Sequence, residues 1–213
     1  MPILVDEKDL RLTQLSLGPY GTNTYIVTCA ATGESAVVDA PGEAARVLEA
    51  LAGTTPRLLL MTHAHMDHTG ALAELKAALK VPMAAHPLEA PGLHPGPDQL
   101  LTGGETLPLG RLTLTVLHTP GHTPGSLCFL TGRHLLAGDT LFPDGPGHTR
   151  SPAAFGEIVG AITQNLFALP DETGVYPGHG GTTTIGREKT NYARFLARPR
   201  DPGLCGDVLW VPA

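Results

Sequence analysis

The sequence predicts an α/β fold in which two β-sheets pack together and helices cover them on the outside. Three observations predict it. Stretches with near two-residue alternation and β-branched residues open the chain and return in its second half. Segments with helical spacing follow them, giving the order β-rich, helix, strand, helix, β-rich, helix, strand, helix. Glycine (26) and proline (20) fall between the periodic segments and not in one block, which marks many tight turns, not a disordered linker. Two stacked sheets with outer helices bury every apolar face this order creates.

The elements follow in order. "RLTQLSLG" (11–18) carries Leu12, Leu15 and Leu17 nearly in period two, and "TNTYIVT" (22–28) is β-branched and aromatic. "SAVVDA" (35–40) comes after a turn signal at Thr32-Gly33, so the three make a β-meander. Val47, Leu48 and Leu51 space a short amphipathic helix over 43–52. The strand "RLLLMT" (57–62) leads into "MTHAHMDHTG", and a helix over 70–80 shows Leu72, Leu75 and Leu79 on one face. "VPMAAH" (81–86) is a strand, and 87–104 is a Pro/Gly-rich loop. "RLTLTVLHT" (111–119) sets Leu112, Leu114 and Val116 on one side, and "SLCFLT" with "HLLAGD" form a hairpin about Thr131-Gly132. Ser151-Pro152 is a helix start, an N-cap residue followed by proline at the first position, with Phe155, Ile158, Val159, Ile162 and Leu166 on its apolar face. "TGVYPGHG" (173–180) is a short strand entering a glycine turn, and a last helix covers 185–196 with Tyr192, Phe195 and Leu196 packing inward.

A chain of 213 residues fits one large domain, 1–213, that needs no disulfide staples. Hydrophobic residues at 42% and charged residues at 16% are a globular composition. The net charge of −6 and 5% aromatics speak against a nucleic-acid partner, which would need a basic face or stacking rings. Cys29, Cys128 and Cys205 are odd in number and widely spaced, so reduced thiols are expected and not a disulfide framework or zinc ribbon. No basic region followed by an apolar run stands at the start, and no stretch approaches the ~20 apolar residues that span a bilayer. The expected setting is the cytoplasm, without a membrane.

"MTHAHMDHTG" places His63, His65, Asp67 and His68 within six positions. In extended backbone His63 and His65 point to the same side and can reach one ion. Asp67 and His68 follow in a turn, which can aim them at a different point, the first hint of two ions. Further donors stand where strands give way to glycine-rich loops: His118 and His122 in "HTPGHTPGS", Asp139 in "GDTLF", His179 in "PGHG". Imidazole and carboxylate without thiolate suit zinc, iron or manganese.

These residues resemble the metallo-β-lactamase-fold superfamily. "THAHMDH" is similar to its THxHxDH signature, and His122, Asp139 and His179 match its three later ligand motifs in order. The wording "HTPGHTPGS", "GDTLF" and "PGHG" resembles the glyoxalase II branch, the hydroxyacylglutathione hydrolases, over roughly residues 11–196. The resemblance implies a four-layer αββα sandwich of two mixed β-sheets with outer helices, the site at one edge. It implies two divalent ions, zinc first with iron or manganese as alternatives. His63, His65 and His122 would bind one, Asp67, His68 and His179 the other, and Asp139 would bridge them. Asp67 would also act in catalysis by orienting the nucleophile. Asp39, in "VVDAP", either supports the site from behind or caps a helix.

The implied activity is hydrolysis of a small, anionic thioester or ester by metal-bound hydroxide. A persulfide dioxygenase-like oxidoreductase with one iron is the alternative, and a lactonase or nuclease of the same fold stands behind it. Two departures bear on the substrate. Classical glyoxalase II holds glutathione with a C-terminal helical region, whereas only residues 180–213 follow His179, so a domain without that region is expected. "PDGPGHTRSP" also differs from the familiar GR-containing loop. His148 and Arg150 in that loop, and Arg187 and Lys189 in "TTIGREK", are candidate substrate contacts, with loop packing and surface exposure as the alternative readings.

Overall fold

The computed structural model describes residues 3–199 and 201–211. A seven-stranded sheet runs in chain order: β1 (Ile3–Asp6), β2 (Leu10–Leu17), β3 (Thr22–Cys29), β4 (Glu34–Val38), β5 (Thr55–Leu60), β6 (Met83–Ala85) and β7 (Gln99–Leu100). The first four strands are antiparallel neighbours, and β4 to β7 are parallel. Parallel neighbours need crossovers. α1 (Ala44–Ala50) supplies that between β4 and β5, and α2 (Met66–Thr69) with α3 (Leu72–Leu79) supplies it between β5 and β6.

The second sheet uses β8 (Thr106–Leu109), β9 (Leu112–His118), β10 (Leu127–Thr131) and β11 (His134–Gly138). A small ribbon, β12 (Leu141–Phe142) with β13 (Gly145–Pro146), precedes α4 (Pro152–Ala161). Then come β14 (Gly174–Pro177), β15 (Thr183–Thr184) and α5 (Ile185–Leu196), and the sheet order is β15-β14-β11-β10-β9-β8. Only β11 and β14 pair in parallel, so this sheet is also mixed.

Strand alternation sorts the apolar residues into three layers. Leu12, Tyr25, Val27, Val38 and Leu60 face Leu114, Val116, Leu127, Phe129 and Leu136 between the sheets. Ile26, Val37, Leu59 and Met61 face Val47, Leu72 and Leu75 of the first helix layer. Cys128, Leu135, Ala137 and Val175 face Ile158, Ile162 and Phe195 of the second. The result is the αββα sandwich.

Several details differ from the sequence reading. Leu12 faces the other sheet, whereas Leu15 and Leu17 face the helices, because parity divides residue 12 from 15 and 17. Leu196 lies at the end of α5, 44% exposed, and does not pack inward, while Phe195 does. The 87–104 stretch is not all loop, since β7 pairs with β6 and a 3-10 turn covers Ala90–Gly92. Residues 66–69 form a single helical turn, α2. After α4 the chain widens into one π turn, Ile162–Leu166, which keeps Ile162 and Leu166 buried. Among the described residues, no helix is long and apolar enough to cross a membrane.

Candidate metal centre

β5, β9, β11 and β14 all end at one edge of the sandwich, and each is followed by a donor-bearing loop. His63 and His65 follow β5, His122 follows β9, Asp139 directly follows β11, and His179 follows β14. His65 is the N-cap position of α2, so the first helical turn swings Asp67 and His68 away from His63 and His65. All seven sequence-derived candidates therefore meet at one place.

The donor atoms form overlapping groups, each within 4.8 Å: His63, His65 and His122; His63, His68 and Asp139; Asp67, His68 and His179. His65 Nδ1 lies 3.1 Å from His63 Nε2 and 2.9 Å from His122 Nε2. On the other side, Asp67 Oδ2 lies 3.1 Å from His179 Nε2 and 3.8 Å from His68 Nε2. Asp139 stands between the two sets. Its Oδ1 is 3.4 Å from His68 Nε2, and its Oδ2 is 3.5 Å from His122 Nε2 and 3.6 Å from His179 Nε2.

The outer hydrogen bonds turn bare nitrogens inward. His122 Nδ1 donates to the His148 carbonyl at 2.9 Å. His68 Nδ1 donates to Asp39 Oδ2 at 2.8 Å. The Thr62 hydroxyl spends its proton on Asp39 Oδ2 at 2.7 Å, so it accepts from His63 Nδ1 at 3.0 Å. With Nδ1 so engaged, Nε2 is the nitrogen each ring turns inward, and once unprotonated it offers the lone pair a metal ligand needs. His68 Nε2 and Asp139 Oδ1 are buried without a hydrogen-bond partner. Buried polar atoms are seldom left so, and a divalent cation among these imidazole and carboxylate donors satisfies both. The residues fit a metal centre.

The electrostatics agree. Burial, reinforced by the neighbouring His68, pulls His63 well below its ordinary range. Burial and then His122 pull His65 down. Burial also acts to lower His68, but Asp39 and Asp139 outweigh it and push His68 up to about 10. Burial acts to raise Asp139, and the close approach of His68 (Nε2 3.4 Å from Oδ1), with the nearby His63 and His122, outweighs it and holds the carboxyl below its usual range. In the metal-free chain a proton on His68 thus compensates two carboxylates, a role a divalent cation takes over.

Bracing residues lie behind the donors, most of them invisible in the sequence. Asp39 caps no helix, since Glu43 is at the N-cap of α1; its carboxylate accepts from His68, from the Thr62 hydroxyl and from Thr62 N at 2.8 Å. Glu89 is buried and joins two donor loops, accepting from Ala64 N at 2.8 Å and Gly125 N at 2.9 Å. Asn23 and Tyr25 both donate to the Pro177 carbonyl, at 3.0 and 2.7 Å, fixing the turn before His179. Thr22 donates to Asp67 Oδ2 at 3.3 Å. A Cβ at Gly178 would collide with Asp139 Oδ1 and stand 2.8 Å from His68 Cε1, so the "PGHG" turn needs glycine there. Asp39, in "VVDAP", is the one of these that the sequence marks. His118 donates to the Pro124 carbonyl at 2.9 Å and stacks on His86, steadying the loop of His122.

Two cavities open at the cluster. One of about 300 Å³ has His122, Asp139 and His179 in its wall, with His148. One of about 500 Å³ has His65, His122 and Arg150. Arg187 instead pairs with Asp144 at 3.0 Å and Lys189 with Asp171 at 2.6 Å, and neither lines these cavities.

Fold and site define a metallohydrolase-type sandwich with a histidine–aspartate metal centre, and the family model described as "Metallo-beta-lactamase superfamily" matches residues 17–201. The chain belongs to that superfamily. It is 38% identical to a hydroxyacylglutathione hydrolase from Anaeromyxobacter dehalogenans, over 75% of this chain and 62% of that one. It is similar to the crystal structure of ETHE1 from Myxococcus xanthus, with 30% identity, a TM-score of 0.75, and coverage of 84% of this chain and 81% of that one. A further relative, solved in a di-iron-bound form, shares 32% identity with a TM-score of 0.70, over 83% of this chain and 96% of that one.

Proposed function

We propose that the protein is a dinuclear metal-dependent hydrolase that cleaves a small thioester or ester. The observation that carries this reading is the convergence of six imidazole or carboxylate side chains about Asp139, with buried His68 Nε2 and Asp139 Oδ1 lacking any other partner. His63, His65 and His122 would hold one ion, Asp67, His68 and His179 the second, and Asp139 would face both. Divalent ions there would lower the pKa of a bound water to about 7 and stabilise the negative charge that develops on a carbonyl oxygen.

The chain's own residues do the rest. Asp67 Oδ2, part-buried and 3.1 Å from His179 Nε2, is the group we assign to orient the attacking water and accept its proton. Asp39, Thr62 and the His148 carbonyl hold the imidazoles so that no reorientation is needed as charge moves. In the reaction the acyl C–S or C–O bond breaks, a C–O bond to the water oxygen forms, and the leaving thiolate or alkoxide takes up a proton. The match to the hydroxyacylglutathione hydrolase leaves over a third of that enzyme's length uncovered, so we take the reaction class from it and not glutathione. Zinc suits the donor set first, with iron or manganese as alternatives. A cytoplasmic setting suits three free cysteines.

Similarity to ETHE1 favours a second reading, a persulfide dioxygenase-like oxidoreductase with one iron held by His63 or its neighbours, His122 and Asp139, while the di-iron-bound relative supports iron as the metal but not a single ion. Thiol release from a panel of acyl thioesters, alongside oxygen uptake with glutathione persulfide, separates the two. The hydrolase reading expects thiol release that is lost on chelation and in His65→Ala. Oxygen uptake without thiol release would establish the second reading in its place.

A further inference from the structure

We propose that the two cavities sort the two ends of the substrate: an apolar chain lies in the smaller one, against Leu209, and a carboxylate lies in the larger one, on Arg150. The substrate class is then an amphiphilic acyl ester or thioester with an anionic group on one side of the scissile bond. The inference rests on the hydrolase reading for the reaction but not for the binding.

The smaller cavity places Phe142, Pro146 and Leu209 beside His122, Asp139 and His179. Leu209 is 54% exposed although its neighbours Val208 (6%) and Trp210 (0%) are buried. The segment carrying it is tied down: Trp210 N donates to the Asp144 carbonyl at 2.7 Å, and Thr149 and Gly206 exchange backbone hydrogen bonds at 3.2 and 2.8 Å. An apolar side chain is thus held in place at the wall of the cavity beside the donors, where an apolar ligand covering it would gain the free energy of its burial. Met66 (78%), next to Asp67, is likewise exposed at this edge, whereas Leu88 (61%) lines the larger cavity beside Arg150.

The larger cavity shares His122 with the smaller one, so the donor cluster lies where the two meet. Arg11, Arg46, Arg57, Arg133 and Arg187 each reach a carboxylate. Arg150, like Arg111, Arg194 and Arg198, has no ion pair among the described residues, and it is the one of these that lines this cavity, with Glu89 and Glu157. Both oxygens of Glu89 are taken by backbone donors, and Glu157 is exposed. Arg150 is close enough to act electrostatically on His65. A free guanidinium beside the donors offers a fork that matches a carboxylate.

The test uses (hexylthio)acetate, a thioether with an alkyl chain on one side and a carboxylate on the other, its neutral amide, and the ethyl homologue of each. Binding to the metal-loaded protein is read by calorimetry. The expected result is that Arg150→Ala weakens the carboxylate probe about tenfold or more while leaving the amide unchanged, with Arg150→Lys between. Shortening hexyl to ethyl is expected to cost about tenfold or more in the parent protein, and much less in Leu209→Ser. Equal effects of Arg150→Ala on both probes, or an undiminished chain-length dependence in Leu209→Ser, overturn the sorting. Thiol release from acetyl and hexanoyl thioesters is measured in parallel. If no thiol is released while the probes still discriminate as expected, the hydrolase reading fails and the binding inference stands.

Discussion

Asp39 brings no donor into the cluster, yet three hydrogen bonds end on its carboxylate, and one of them fixes His68. It adopts a left-handed backbone (φ 63°), which a short polar side chain tolerates, and this turns the carboxylate under the site. Asp39→Asn keeps the shape but cannot accept from all three donors. We expect metal affinity to fall about 10–100-fold, read by competition with a chromophoric chelator, with the fold kept by circular dichroism. Gly178→Ala is a second test at this scale: its Cβ displaces Asp139 or His68, so metal stoichiometry should drop, while Gly181→Ala, which meets nothing and sits on ordinary backbone, should not alter it. The donors themselves were legible in the sequence because metal chemistry restricts residue type and spacing together. Glu89, Asn23 and Tyr25 were not, because a hydrogen bond to a distant backbone atom leaves no local pattern.

At the level of elements, the site is a set of strand ends. The strands β3, β9, β10 and β11 could be read from their runs of apolar and β-branched residues, since a buried strand with helices on one side and a sheet on the other must be apolar on both faces. Helix α5 could be placed at 185–196 from the spacing of Tyr192, Phe195 and Leu196, while its Thr184 cap and the outward face of Leu196 could not. The strands β7, β12, β13 and β15 span two residues each, too short to show a period, and could not. Glu89 shows how the loops between elements are tied. Glu89→Ala strips two buried backbone N–H groups of their acceptor, and each costs about 1–3 kcal/mol. Urea denaturation should show a loss of that order, together with weaker metal binding. At α4, where Ser151 Oγ accepts from Ala154 N at 3.2 Å, Ser151→Ala should cost only about 1 kcal/mol and leave the metal unaffected.

Across the whole molecule the charge pattern makes folding, metal and pH one linked system. His68 is raised in the metal-free chain, so its contribution to stability is fully present below its ordinary value of 6.5 and is lost as pH rises towards about 10. Asp139 is lowered, so its contribution is present above 3.8 and is lost as pH falls further. Metal-free protein should therefore lose stability from neutral pH towards pH 10 by thermal denaturation. The metal-loaded protein should not, because the ion replaces the proton on His68. Metal uptake near neutral pH should release protons and weaken on acidification.

Two sheets, four joined loops and a buried acid behind them thus bring imidazole and carboxylate donors together about Asp139, the arrangement the proposed dinuclear reading requires. The measurement that bears on this most directly is a titration of metal-stripped protein with zinc, following bound metal per chain and thiol release from an acyl thioester together. The expected result is two equivalents per chain, full activity only as the second binds, and one equivalent with little activity in Asp139→Asn. Binding of a single equivalent with no thiol release at any metal load, in a protein that instead takes up oxygen with iron, would contradict it.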